Sequence, residues 1–195
     1  MLDEFELELD WVGFELNPGT PRGGRDVFEM FGAAQVVAVR AQLQEAAAGM
    51  GVQMGEPPRL PNTRRALALV EQARDAGTLA VARNALMDAH WLHARDIESD
   101  SVLSEIAERA GLDADLAVPN CDAPVWQARV DAMRAEAGRW GVTGIPTFFL
   151  LPEGWSVEGQ ADWRGPQPIK VFGSRSLPQL RQAARSVGAR ERSGA

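Results

Sequence analysis

Gly141-Val142-Thr143-Gly144-Ile145-Pro146-Thr147-Phe148 is the stretch on which the fold turns. Helical spacing of apolar residues runs up to Trp140 and stops at Gly141. Past Pro146 the chain reads Phe148-Phe149-Leu150-Leu151, a short and wholly apolar run. That is the pattern of a strand buried on both faces. An Ile–Pro bond costs only about 0.5–1 kcal/mol to hold cis, far less than any other peptide bond. A cis bend at Pro146 would turn the backbone of Ile145 outward. There an extended peptide or glutathione can pair with it as an added strand. Gly141 and Gly144 allow the tight approach that such a bend requires. An ordinary proline turn ahead of a core strand is the simpler alternative.

Upstream, Leu7, Leu9 and Trp11 alternate with polar residues, which predicts a strand over Glu6–Val12 with one buried face. Turn-forming residues at 17–24 end it. A short helix is expected at Asp26–Phe31. An alanine-rich one follows at Ala34–Gly49, with Val37, Ala41, Gln44 and Ala48 at helical spacing. Further helices are expected at Arg64–Ala76 (capped by Asn62 or Thr63), Leu79–Arg95, Ser101–Ala110 and from Ala123 toward Trp140. Downstream of Phe148–Leu151, Pro168–Gly173 reads as a second strand, and a last helix runs from Ser176 or Leu177 to Ser186. Residues 188–195 read as a frayed tail.

Composition narrows the function. The chain has 195 residues and a net charge of −7. That acidity disfavours nucleic-acid binding, which needs a basic surface. No run approaches the roughly 18 apolar residues of a membrane span. The acidic start MLDEFELELDW is unlike a signal peptide, so a cytoplasmic protein is expected. Tyrosine is absent and arginine far outnumbers lysine, a GC-rich bacterial bias. Cys121 stands alone and permits no intramolecular disulfide and no cysteine-based zinc site.

In order, these segments resemble the DsbA-like branch of the thioredoxin fold that includes FrnE, 2-hydroxychromene-2-carboxylate isomerase and kappa-class glutathione transferases. Gly141–Phe148 resembles its cis-proline loop, Trp11–Pro18 its second strand, and Asn62–Val70 its first insertion helix. Asp96-Ile97, Val102-Leu103 and Ala110–Asp113 resemble later insertion helices, and Phe172–Ser174 leads into the closing helix. The likeness runs from about Leu7 to Val187. It implies an α/β thioredoxin-like fold, with residues 1–20 and 123–195 forming the thioredoxin-like core and 21–122 a helical insertion. It implies thiol–disulfide oxidoreductase ancestry, with a peptide or protein thiol or disulfide as substrate. Glutathione is the alternative ligand, in an isomerase or transferase, and a non-catalytic peptide- or partner-binding domain is a third reading.

The sequence departs from that family at the site of chemistry. The family's first strand and Cys-x-x-Cys (or serine) motif precede the strand expected here near Glu6, and this sequence holds neither. The leader Met1–Phe5 resembles the tail of the helix that follows the motif. A start further upstream is the favoured expectation, because the alternatives, a fragment completed by dimerisation or swapping or a strand improvised from Met1–Leu7, must still fill the central gap. In the family the first strand lies beside the strand after the cis-proline, so Phe148–Leu151 is expected to be left as an edge. A homodimer could complete the sheet. No catalytic residue is assigned, and the chain as given is expected to be inactive in thiol exchange. The candidate substrate-binding residues are Gly144, Ile145, Pro146 and Asn62, the last because it matches a position bordering the substrate site in glutathione-using relatives. Cys121, in a loop entering the next helix, is expected to be structural, with Asp122 opposing its ionisation. His90 and His93 share a helix face with Asp96, but Trp91 and Leu92 beside them point to packing, and no metal site is assigned. Trp155 and Trp163 are candidates for a substrate lip.

Overall fold

The computed structural model describes residues 1–162 and 164–192. Two compact units emerge. One is Asn17–Ala135, and the other joins Met1–Leu16 to the described residues from Glu136 onward. No described helix is long and apolar enough to cross a membrane.

The first unit is helical. A two-residue strand β1 (Arg25–Asp26) pairs antiparallel with β2 (Arg59–Leu60). Between them lie α1 (Val27–Phe31) and α2 (Ala33–Gly49). Asp26 caps α1, its carboxylate accepting from the amides of Phe28 and Glu29 at 2.7 and 3.2 Å. Then come α3 (Arg64–Asp75), α4 (Leu79–Met87), α5 (Asp100–Arg109), α6 (Ala114–Asn120) and α7 (Pro124–Arg139). Gly77 and Gly111 close α3 and α5 at φ +74° and +73°, a conformation that costs glycine nothing. Leu69, Leu103, Ile106, Val118, Cys121 and Val130 meet in one core, with alanines at 66, 68, 73, 82, 85 and 107 letting the helices approach closely.

Three helical expectations need correction. The helix begun at Leu79 does not stay α-helical to Arg95: it becomes a π-helical turn over Asp88–Leu92 and ends there. Its spacing is therefore not uniform, which a single period cannot show. Helix α6 is not expected from the sequence, where Pro119–Pro124 reads as a loop. Asp113 nevertheless caps it, accepting from the Asp115 amide at 3.0 Å, and Pro119 sits in its last turn without a backbone donor. Cys121 therefore ends a helix instead of lying in a loop. In α2 the buried residues are Val36 and Ala47, whereas the stripe Val37, Ala41, Gln44 and Ala48 faces solvent.

The second unit contains the sheet. β3 (Thr147–Leu150) pairs antiparallel with β4 (Ile169–Phe172), Thr147 opposite Phe172 and Leu150 opposite Ile169. α8 (Leu177–Ser186) follows, opened by a capping box between Ser176 and Gln179. The run at Phe148–Leu151 was expected to be buried on both faces. In the structure Thr147–Leu150 are half-buried and Leu151 is exposed. With one paired neighbour among the described residues, β3 keeps an open edge, and its apolar character has no second sheet neighbour to meet.

The strand expected over Glu6–Val12 does not form. Among the described residues the only pairing near it is the Phe5–Glu191 bridge. Leu9 and Trp11, the face meant to be buried, are exposed. Alternation reports a potential buried face, but a strand also needs a hydrogen-bonded neighbour, which this segment does not have as a ladder. Instead the preceding residues are clasped to the C-terminal segment. Phe5 is 1% exposed. Glu6 donates to the Arg190 carbonyl at 2.9 Å, and the Arg192 amide to the Glu4 carbonyl at 2.8 Å. Arg181 grips the Glu4 carboxylate with Nε at 2.6 Å and a terminal nitrogen at 2.9 Å, holding the carboxyl below its usual range. An exposed pair of this kind contributes little globally but pins an end. Arg181→Ala should speed amide exchange at Phe5 and Glu6 a few-fold while leaving the core of α3 and α5 unchanged, read by hydrogen–deuterium exchange.

Candidate binding site at the Ile145–Pro146 loop

The site begins where α7 stops. Gly141 takes φ +63°, its amide bonding the Gly138 carbonyl at 3.0 Å and the next amide, Val142, reaching Ala137 at 2.8 Å. A side chain at Gly141 would be strained in that conformation. Lys170 on β4 clamps this turn by donating its Nζ to the carbonyls of Trp140, at 3.2 Å, and of Gly141. The turn directs the chain to Gly144, where a Cβ would come within 3.2 Å of the Phe172 ring. Glycine there lets Phe172 lie against the backbone.

The Ile145–Pro146 peptide bond is cis. The loop is tied on both sides of it. Thr147 Oγ1 donates to the Gly144 carbonyl at 2.7 Å, and the Gly173 amide donates to the Pro146 carbonyl at 2.9 Å. Between these two ties Ile145 is 56% exposed. Its own amide and carbonyl make no hydrogen bond among the described residues. Ile145 thus offers a donor and an acceptor two residues ahead of β3.

Aromatic side chains stiffen the site. Trp140 meets Phe149 edge-on at 4.8 Å and Trp155 at 5.7 Å, and its indole donates to Glu136 Oε1 at 2.6 Å. The Lys170 ammonium lies 5.8 Å from the Phe149 ring centre. Trp155 Nε1 is buried without a hydrogen-bond partner among the described residues. Trp163 lies outside the described residues. Nothing in the sequence pattern marked Lys170 or Phe172 as parts of this loop, although Thr147 belongs to the motif. Their roles depend on the β3–β4 register, which puts Thr147 opposite Phe172 and Phe149 opposite Lys170.

Of the four predicted binding residues, Gly144, Ile145 and Pro146 are adjacent here. Asn62 belongs to the helical unit, where its side chain is already engaged. Its Nδ2 donates to the Thr20 carbonyl at 2.6 Å, and its Oδ1 accepts from the Arg64 amide at 3.0 Å, at the start of α3. Glu98, which sequence reading passed over, joins the same corner by accepting from the amides of Asn62 at 2.7 Å and Gly23 at 2.8 Å.

Cys121 also lies in the helical unit and is fully buried. Its Sγ donates to the Ala117 carbonyl at 3.2 Å, with Gln72 Nε2 at 3.6 Å. Burial pushes the thiol up from 9.0 to about 11; Asp122 adds to this, while Arg65 and Gln72 partly offset it. Asp122 is itself held by Arg65 at 3.0 Å, although that Arg65 Nε points off the line a hydrogen bond needs. A thiol so placed is neither accessible nor ionised near neutrality. His90 packs edge-on against Trp91 at 4.6 Å, and burial lowers its pKa against the pull of the Arg95 contact and the Asp96 charge. Among the described residues no group of three His, Cys, Asp or Glu side chains is arranged to hold a metal. The loop can therefore bind backbone, but no described residue beside it can act as a thiol nucleophile.

Comparison with known proteins agrees with this architecture. The chain matches the DSBA-like thioredoxin domain over residues 2–185. A crystal structure of a probable DsbA oxidoreductase from Streptomyces coelicolor superposes with a TM-score of 0.73 at 24% identity, covering 91% of this chain and 74% of that one. No curated protein matches. The helical unit, the β3–β4 pair and α8 are thus parts of a thioredoxin-like α/β fold, and the chain belongs to the DSBA-like thioredoxin domain family.

Proposed function

We propose that this chain is the substrate-binding part of a thiol–disulfide oxidoreductase and binds an extended polypeptide along Ile145 and the open edge of β3. The observation that carries the reading is the free amide and carbonyl of exposed Ile145, held between the Thr147 and Gly173 ties. Main-chain pairing gives affinity for extended chains of many sequences, which suits a protein-disulfide substrate. With Cys121 buried and no second cysteine, this polypeptide by itself performs no dithiol exchange. Glutathione, itself a short peptide, is a second ligand that the same backbone groups would accept.

The test uses S-alkylated insulin B chain, which has no free thiol, and a synthetic fragment of it N-methylated at alternate residues. Binding followed by fluorescence anisotropy should be measurable for the unmodified fragment and at least tenfold weaker for the methylated one, because methylation deletes the donors a strand edge needs. Ile145→Pro, which removes the amide donor, should weaken the unmodified fragment similarly. Equal binding of the two fragments would sink the proposal. Insulin reduction by this polypeptide that disappears in Cys121→Ala would show that the lone thiol is competent after all.

A further inference from the structure

The segment from Gly141 to Pro146 is held at both ends from β4. At its start, α7 closes on a glycine turn: the Gly141 amide bonds the Gly138 carbonyl and the Val142 amide the Ala137 carbonyl, with Gly141 at φ +63°. That pattern serves the carbonyls of Ala137 and Gly138 and does not reach those of Trp140 and Gly141. Lys170 Nζ donates to both of these. A cation there also meets the negative end of the helix dipole. At the far end, the Gly173 amide, just past β4, donates to the Pro146 carbonyl at 2.9 Å. Strand register puts Lys170 in place. It stands opposite Phe149, so the two side chains share a face of the sheet, and its ammonium lies 5.8 Å from that ring. Lys170 is the only lysine of the chain. An ammonium carries three donors on a compact head and can serve two carbonyls at once, whereas arginine presents a fixed planar fork.

We propose that Lys170 is a positioning residue of the peptide site: by fixing the Trp140–Gly141 turn, its ammonium fixes where Ile145 presents its amide and carbonyl. Only residues 142–144 separate that turn from Ile145, and the Gly144 carbonyl is itself tied to Thr147 Oγ1 at 2.7 Å. The chain between the two ties is short, so a turn released at Gly141 carries its freedom to Ile145. A ligand that pairs with main chain needs that donor and acceptor held in one place before it arrives, because ordering them on binding lowers affinity. The inference rests on the peptide-binding reading and adds that affinity depends on one positive charge acting through the loop.

Lys170→Cys removes the ammonium at an exposed position, so circular dichroism and the melting temperature should match the parent. S-alkylated insulin B chain, followed by fluorescence anisotropy, should bind the variant about three- to fivefold more weakly than the full parent chain. Alkylation of the variant with 2-bromoethylamine rebuilds a side chain of lysine length ending in an ammonium and should restore the affinity. Alkylation with 1-iodopropane gives the same length without charge and should not. Cys121 is buried and does not compete. In the ligand-free chain, hydrogen–deuterium exchange at the Val142 amide should quicken in Lys170→Cys and slow again only with the ammonium. Rescue by the propyl group would overturn the inference, since it would reduce Lys170 to packing on Phe149. So would weaker binding with no change at Val142, which would mean that the ammonium meets the peptide directly. If the parent binds and Lys170→Cys binds equally well, this inference alone fails. If the parent does not bind, the peptide-binding reading fails and takes this inference with it.

Discussion

Between pH 9 and pH 11 the folded chain should lose about 2 kcal/mol of stability, and Cys121→Ala should abolish most of that loss. The cause is the buried thiol. In the unfolded chain it ionises from about its ordinary 9.0, and in the folded chain only near 11. A group whose folded pKa is raised contributes stability that is fully present below the unfolded value. That stability drains away as pH rises, because the unfolded state gives up its proton first. Two pH units of difference correspond to about 2.7 kcal/mol. The chain lends itself to this measurement. It has no tyrosine, and Lys170 is its only lysine, so few other groups change charge in the window. Urea unfolding at pH 8, 9, 10 and 11 reads the effect. Parallel curves for parent and Cys121→Ala would show that the thiol is not buried in the way described. The same burial predicts that native Cys121 reacts with a disulfide reagent at pH 8 at least 100-fold more slowly than in the denatured chain, since thiolate is the reactive form.

Leu103→Ala should cost about 3–4 kcal/mol, the range for removing a fully buried leucine from a tightly packed core. Leu103 has no exposed surface and packs with Leu69, Ile106 and Val118 where α3, α5 and α6 converge. The neighbouring small residues at 66, 73, 82 and 107 have no length with which to refill the space, so a cavity would remain. Leu116→Ala, at a 64% exposed position of α6, is the control and should change stability by less than about 0.5 kcal/mol. Denaturant titration followed by circular dichroism separates the two. A Leu103→Ala variant as stable as its control would mean the helical unit is loosely packed.

Legibility differed from element to element. α3 and α5 were readable because spacing, caps and terminal glycines agree: Asn62 at one end and Gly77 at the other of α3, Gly111 after α5. α6 was not, because it is only seven residues long and runs into the Pro119–Pro124 stretch that reads as a loop. The Glu6–Val12 segment shows the opposite error, where a sound period-two pattern forms no strand pairing among the described residues. At the binding loop, the glycines, Ile145 and Pro146 were visible as a motif. Lys170, Phe172 and the aromatic bracing of Trp140 were not, since they reach the loop only through pairing between strands some twenty residues apart.

By itself the sequence determined helices α3 and α5, the loop at Gly141–Thr147 and the lack of a cysteine pair. Each is a property of local chemistry: capping, chain stiffness and the inventory of side chains. Only the tertiary structure decided which face of α2 is bare, that Cys121 is sealed inside a helical core, and that among the described residues the apolar run of β3 is half-buried against β4 alone. Those are questions of what lies beside a residue in space. Hydrophobic patterning specifies that a surface should be covered, but not which neighbour covers it.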